Sequence, residues 1–301
     1  MRILLTGVNG QVGGALRAPL ASLGTVIAAD RALIDLSRPG DVPAALDKAA
    51  PDLIVNPAAY TAVDRAENES ELAYKVNAEA PREMARWAAS HGVPIVHFST
   101  DCVFDGSGSR PWREDDCTGP LSVYGASKLA GEIAVRDAGG SHLVIRTSWV
   151  FASQGNNFLT AIIRLARERS ELRIVADQIG APTSARSIAE ALRSILTGNG
   201  IEQKFKAAEG LVHLANAGET SRHGFACAIV DGLRKRGDRL AVDTITAIAS
   251  GEFPTAATRP YNSRLSMARY ETVFGASMPD WKDALDRELD DLTFDRHQTS
   301  G

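Results

Sequence analysis

The chain has 301 residues, 44% hydrophobic and 23% charged, the proportions of a globular protein and not of a disordered one. Thirty-three basic residues against thirty-seven acidic ones leave a net charge of −4, without the basic excess of a nucleic-acid binder. Three widely spaced cysteines, Cys102, Cys117 and Cys227, form neither a disulfide framework nor a zinc site.

In chain order, the first apolar run, Ile3 to Thr6, is too short for a signal peptide, and no later run reaches membrane-span length. A soluble cytoplasmic protein with no membrane or nucleic-acid partner is expected. The run reads as a strand and leads into Gly7-Val8-Asn9-Gly10-Gln11-Val12-Gly13, which opens a helix over 11–23. In such a turn Gly7 permits the tight bend. Gly10 lets backbone N–H groups approach a pyrophosphate, and Gly13 lets helix and strand pack closely. Gly7, Asn9, Gly10, Gln11, Val12 and Gly13 are therefore candidate cofactor contacts.

A second strand, 25–29, ends at Asp30, where an acid can accept hydrogen bonds from the adenosine ribose. Arg31 can pair with a 2′-phosphate, so NAD and NADP both stay open, and Asp35 and Leu36 are candidates to flank the adenine. A helix over 42–50 and a strand over 53–56 follow. Small residues after that strand, Ala58 and Ala59, with Thr61 beyond, leave room for a cofactor across the strand ends.

A helix over 65–90 and a strand over 94–99 bring the chain to Ser99-Thr100-Asp101. The next helix, 122–137, carries Tyr124 and Lys128 four residues apart, hence on one face. An ammonium beside a phenol lowers a pKa that starts near ~10 and makes Tyr124 a proton donor near neutral pH. The Thr100 hydroxyl can hold a substrate oxygen in line. A strand at 142–146 completes an alternation that specifies an α/β fold, a Rossmann-type doubly wound parallel sheet over residues 1–150.

Beyond residue 150 the rhythm weakens. Helices are expected at 156–169, 184–197, 220–235 and 280–292, and strands at 172–175 and 211–215. This texture predicts a smaller, less regular substrate-binding lobe over 151–294, with some segments returning to the core, and a frayed tail over 295–301.

The glycine turn, the strand-end Ser99-Thr100 and Tyr124-x-x-x-Lys128 together resemble the extended short-chain dehydrogenase/reductase superfamily. Further segments narrow the match: Val55 to Asp64, His97 to Phe104, Arg146 to Phe151, Gly155 to Phe158, Asp177 to Thr183 and Arg259 to Leu265. They resemble the dTDP-4-dehydrorhamnose reductase family over nearly the whole chain. The resemblance implies that the C4 ketone of a nucleotide sugar takes a hydride from NADPH or NADH, with Tyr124 protonating the oxygen. It implies that Lys128 holds the nicotinamide ribose, that Thr100 and Asp101 meet the substrate and that Trp149 faces the sugar. Asn157 joins the substrate set, and Asn262, Ser263 and Arg264 would hold the diphosphate, with Arg259 the next cation in line.

Two departures from the family pattern matter. Cys102 stands where many members carry an aromatic, and a free cysteine there is expected to act as a small hydrophobe, not a nucleophile. Some members dimerise around a metal held partly by an acid in the glycine-turn helix. Here Gly13-Gly14-Ala15-Leu16 supplies none, so no metal and a monomer or weak homodimer are expected. The alternatives are a related nucleotide-sugar reductase, an epimerase or dehydratase, and a non-catalytic regulatory subunit. Asp101-Cys102 lacks the acid pair of a dehydratase, and intact Thr100, Tyr124 and Lys128 speak against a regulatory subunit. The sugar and its nucleotide stay open.

Overall fold

A computed structural model describes residues 1–299, of which 293–299 by their backbone alone. Five of its strands alternate with helices in the order expected: β1 (Arg2–Thr6), β2 (Thr25–Ala29), β3 (Leu53–Asn56), β4 (Ile95–Thr100) and β5 (His142–Thr147). All pair in parallel, and the order β5-β4-β3-β1-β2 is extended past β5 by the strand Leu211–His213. The order reverses between β1 and β3. At such a switch point ligands bind beyond the carboxyl ends of the strands.

β3 and β4 are buried along their whole length, as aliphatic strands covered on both faces must be. One face carries the glycine-turn helix α1 (Gln11–Ala21) and the helix Ala185–Leu196, packed through Leu16, Leu20, Ile188 and Leu192. The other carries Val42–Ala49 and Ala80–His91 through Leu46, Met84 and Trp87. The chain thus returns after residue 184 to cover and extend the sheet built by its first half.

A separate apolar core lies in the second half. Phe151, Leu159, Ile162, Phe225, Ile229, Trp281 and Leu285 join the helices Phe158–Glu168, Arg222–Lys235 and Trp281–Thr299. Beside it, a small sheet brings together Thr220–Ser221, Ile179–Gly180 and Asn262–Ser263. Glu171–Val175 pairs with Thr244–Ile248, a strand that the sequence pattern does not reveal. The last helix continues to Thr299, past the start of the tail expected to fray. Positions 300 and 301 of that tail lie outside the described residues.

The single helix expected over 65–90 is broken instead. Short turns at Val63–Ala66 and Ser70–Tyr74 lead through a wide turn, Lys75–Glu79, into Ala80–His91. Pro81, near the start of that last helix, has no N–H to give the carbonyl of Asn77, which explains the local unwinding. Helix-forming composition alone does not register such a break.

Candidate active site

At the cofactor end, Gly7 has φ of +59°, and a Cβ there would stand 2.9 Å from the Ala58 Cα. A Cβ on Gly13 would fall 2.1 Å from the Gly7 carbonyl oxygen, so only glycine lets α1 reach the β1 turn. Helix α1 begins after Gly10 with no side-chain cap and no acid in its first turn. Its N–H groups therefore suit an anionic ligand. Gln11 Oε1, on the same turn, is buried without a partner among the described residues. The bare helix N–H groups fit a dinucleotide pyrophosphate, whereas the orphaned Gln11 oxygen, an acceptor, suits a cofactor hydroxyl.

Asn9 is exposed beside this turn, and Val12 packs against the core below it. Asp30 is exposed at the end of β2, and its Oδ1 accepts from Ala32 N–H at 3.0 Å and Leu33 N–H at 3.2 Å. Arg31 is exposed beside it. Asp35 takes hydrogen bonds from Ser37, which hold its carboxyl below the usual range, and Leu36 turns into the core. Ala58 and Ala59 are half-buried past β3, and Thr61 is exposed.

The helix Val123–Asp137 is pinned at its start from two sides. Ser122 Oγ accepts from Gly125 N–H at 3.1 Å, and Glu67 Oε1 accepts from Val123 N–H at 2.9 Å. Gly125 lies so close to the turn after β4 that a Cβ would stand 2.2 Å from the Cys102 carbonyl oxygen. This approach brings the Tyr124 phenol beside Thr100, whose hydroxyl opposes the rise in the phenol's pKa. The Thr100 hydroxyl also donates to Asp101 Oδ1 at 2.9 Å.

The phenol of Tyr124 is raised above its ordinary value, first by burial and then by Cys102, with the Thr100 hydroxyl opposing. Lys128 does not lower it, contrary to expectation. The lysine Nζ instead donates to the Phe98 carbonyl at 2.6 Å and sits 3.5 Å from His97 Nε2. Burial lowers Lys128 to about 8, against the attraction of Glu132. The thiol of Cys102 is pushed up to about 12 by burial and by Asp101, so it is not a nucleophile at neutral pH.

Asp101 is buried, and burial raises its carboxyl while hydrogen bonds with Ser263 and Thr100 and the charge of Arg222 hold it down. Thr100, Asp101, Tyr124 and Ser263 thus converge. Trp149 reaches the same place through Arg222, whose guanidinium covers its indole. Arg259 closes the ring: one nitrogen binds Asp64 at 2.7 Å, while Nη1 is buried without a partner among the described residues. Arg222 was not legible in the sequence, since a lone arginine opening an amphipathic helix carries no motif.

Three other expected residues have their polar groups occupied. Asn157 caps the Phe158–Glu168 helix, with its amide nitrogen on the Ala152 and Gln154 carbonyls. Asn262 donates to the Ser107 and Arg110 carbonyls and so ties down the loop after Phe104. Arg264 pairs with Glu219, Nε to Oε2 at 2.6 Å.

The fold and the family match define an oxidoreductase of the extended short-chain dehydrogenase/reductase class, with Thr100, Tyr124 and Lys128 as its candidate catalytic residues. The chain belongs to the family described as RmlD substrate binding domain, whose model matches residues 1–294. A Burkholderia thailandensis protein named dTDP-4-dehydrorhamnose reductase is 47% identical to it over 97% of this chain and 99% of its own. A dTDP-4-dehydrorhamnose reductase structure from Clostridium acetobutylicum superposes with a TM-score of 0.87 at 34% identity, covering 97% of this chain and 100% of its own. One from Bacillus anthracis, in complex with NADP, gives 0.85 at 32% identity, covering 96% and 99%. No helix among the described residues is long and apolar enough to cross a membrane.

Proposed function

We propose that this chain reduces the C4 ketone of dTDP-4-dehydro-L-rhamnose to dTDP-L-rhamnose with NADPH or NADH. The observation that carries the reading is the convergence of Thr100, buried Asp101 and Tyr124 at the strand ends, next to an uncapped glycine-turn helix. The dinucleotide would lie on Gly7 to Gly13 and Asp30, past Ala58 and Ala59, with Lys128 on its ribose; when bound it supplies the hydride. Thr100, turning its hydroxyl proton away from Asp101, holds the ketone oxygen, and Tyr124 gives that oxygen its proton. A phenol raised by burial keeps its proton until a developing alkoxide draws it, which is the property a general acid needs. Until the ketone binds, Asp101, fixed by Ser263, orients the Thr100 hydroxyl.

Trp149 forms a wall for the sugar. For the diphosphate, Arg222 and Arg259 stand beside Ser263, while Asn262 and Arg264 of the expected set are already tied to the Ser107 and Arg110 carbonyls and to Glu219. The thiol of Cys102 favours a reductase over a dehydratase, because it replaces the second acid a dehydratase needs. Helix α1 contains no carboxylate, which supports a monomer or weak homodimer without an interface metal. The same reading places the enzyme in the cytoplasm, with its supply of reduced nicotinamide. NAD(P)H consumption against a panel of dTDP- and UDP-linked 4-keto-6-deoxy sugars tests the assignment. Turnover confined to a UDP-amino sugar, or none with any 4-keto sugar, overturns it.

A further inference from the structure

A line of buried polar groups crosses the carboxyl ends of three neighbouring strands and stops at Lys128. Thr6, Asn56, His97 and Lys128 are each at most 2% exposed, in a layer otherwise filled by aliphatic side chains. Ala58 N–H donates to Thr6 Oγ1 at 3.3 Å, and the Thr6 hydroxyl donates to Asn56 Oδ1 at 2.6 Å. Asn56 Nδ2 is then left facing His97 Nδ1 at 3.1 Å, and an amide nitrogen can only donate. His97 Nδ1 must therefore accept, so the neutral ring carries its proton on Nε2, the nitrogen 3.5 Å from Lys128 Nζ. Register supports the contact, since Asn56 and His97 are directly paired across β3 and β4.

The direction of this line has a consequence for the lysine. An ammonium has three donors and no acceptor, so it meets Nε2–H donor to donor. A neutral amine can accept from Nε2–H and still donate to the Phe98 carbonyl, 2.6 Å away. We propose that His97 is a positioning residue for Lys128, and that the Ala58–Thr6–Asn56 line, by fixing the imidazole tautomer, sets how readily the lysine gives up its proton. His97 itself stays neutral, because burial and the lysine charge hold it well below its ordinary value. The other charged groups around Lys128 are few. Glu132, one turn along the same helix, favours the ammonium but is held in a bidentate pair by Arg146 of β5. Tyr124 lies one turn before, and the Lys75–Glu79 turn presents Asn77, which does not titrate. The line starts at Ala58, packed against Gly7, so it joins the cofactor turn to the lysine.

This proposal rests on Lys128 acting in the reduction, and two measurements separate it from that reading. In wild-type protein with 15N-labelled histidine, the His97 ring should show an unprotonated Nδ1 and a protonated Nε2 throughout the neutral range. A proton on Nδ1 overturns the proposal, whatever the enzyme's activity. In Asn56→Asp, a carboxylate replaces the amide donor, the Nδ1–H tautomer is favoured, and Nε2 turns a lone pair to the ammonium. The alkaline limb of kcat/KM should then move up by about one pH unit. An unmoved limb in a folded Asn56→Asp protein overturns the coupling. Near-normal kcat in Lys128→Met would remove the lysine from the reaction and leave the tautomer result standing.

Discussion

The guanidinium carbon of Arg222 lies 3.7 Å from the centroid of the Trp149 ring and 5.4 Å from that of Phe158. Trp149 itself holds φ of +47°, a left-handed backbone that a bulky residue seldom adopts. Its carbonyl is anchored by Thr183 N–H at 3.2 Å. Strain of this kind marks a side chain aimed by its surroundings. The arginine is attracted by Asp101, repelled by Arg259 and lowered to about 10, chiefly by burial. A second cation facing it invites an anion between the two.

Arg222→Ala should therefore raise KM for the nucleotide sugar by about ten- to a hundredfold, since hydrogen bonds to charged groups are worth ~1.5–3 kcal/mol. Arg222→Lys should recover part of the loss, lacking the planar fork. The same steady-state assay on Arg264→Ala should show a smaller rise, because that guanidinium is already committed to Glu219. A larger effect at Arg264 than at Arg222 would return the diphosphate to the residues expected from sequence.

Tyr124→Phe removes the proton donor and keeps the ring. General acid catalysis contributes ~10²–10⁴-fold, and kcat should fall by about that factor with cofactor affinity little changed. The wild-type pH profile should be set by the lysine instead. Burial lowers Lys128 to about 8, so its ammonium is present below that pH and lost as pH rises through it. Binding a ribose hydroxyl through the ammonium then requires kcat/KM to decline above about 8. A profile flat through that range would show that the charge on Lys128 is not used.

Cofactor choice rests on two neighbours at the end of β2. Asp30 keeps Oδ1 on its own turn, and Arg31 is exposed beside it. With an acid for the ribose and a cation for a 2′-phosphate, NADH and NADPH should support rates within roughly tenfold, about 1.4 kcal/mol. Arg31→Ala should weaken NADPH alone, read as KM for each cofactor. Equal loss for both would place Arg31 away from the phosphate.

Much of the sheet was legible because buried parallel strands leave unmistakable aliphatic runs: Leu53–Asn56 and Ile95–Thr100 fall within a residue of their expected bounds. Tyr124 and Lys128 were legible because four-residue spacing has one meaning on a helix. Local pattern carries no record of long-range pairing. Nothing in Leu211–His213 says that it borders β5, and nothing in Thr244–Ile248 says that it pairs with Glu171–Val175. Polar residues mislead for a related reason. Asn157 and Asn262 look available in a sequence, but backbone groups nearby have claimed their amides. Arg222 reaches Trp149 across 73 residues, a contact set by tertiary packing alone.

The last expectation concerns the charge buried behind the site. Arg146 of β5 binds Glu132 through two bonds of 2.9 and 2.7 Å, with both side chains under a tenth exposed. The guanidinium also lies 5.0 Å from the Phe104 ring centroid, just beyond Thr100-Asp101. Phe104 stacks in turn on Trp112 at 4.6 Å. Removing one member of a buried pair strands the other charge at a cost of ~3–5 kcal/mol, whereas replacing both with apolar residues is often neutral or better. Arg146→Met should therefore destabilise by about that amount, seen as a lower denaturant midpoint at unchanged slope. The double variant Arg146→Met with Glu132→Leu should regain most of it. Glu132 favours the Lys128 ammonium, so in the double variant turnover per folded molecule should stay within a few fold well below pH 8 while the alkaline limb moves down. A double variant no more stable than Arg146→Met would show that the cost lies in the lost Phe104 packing and not in the stranded carboxylate.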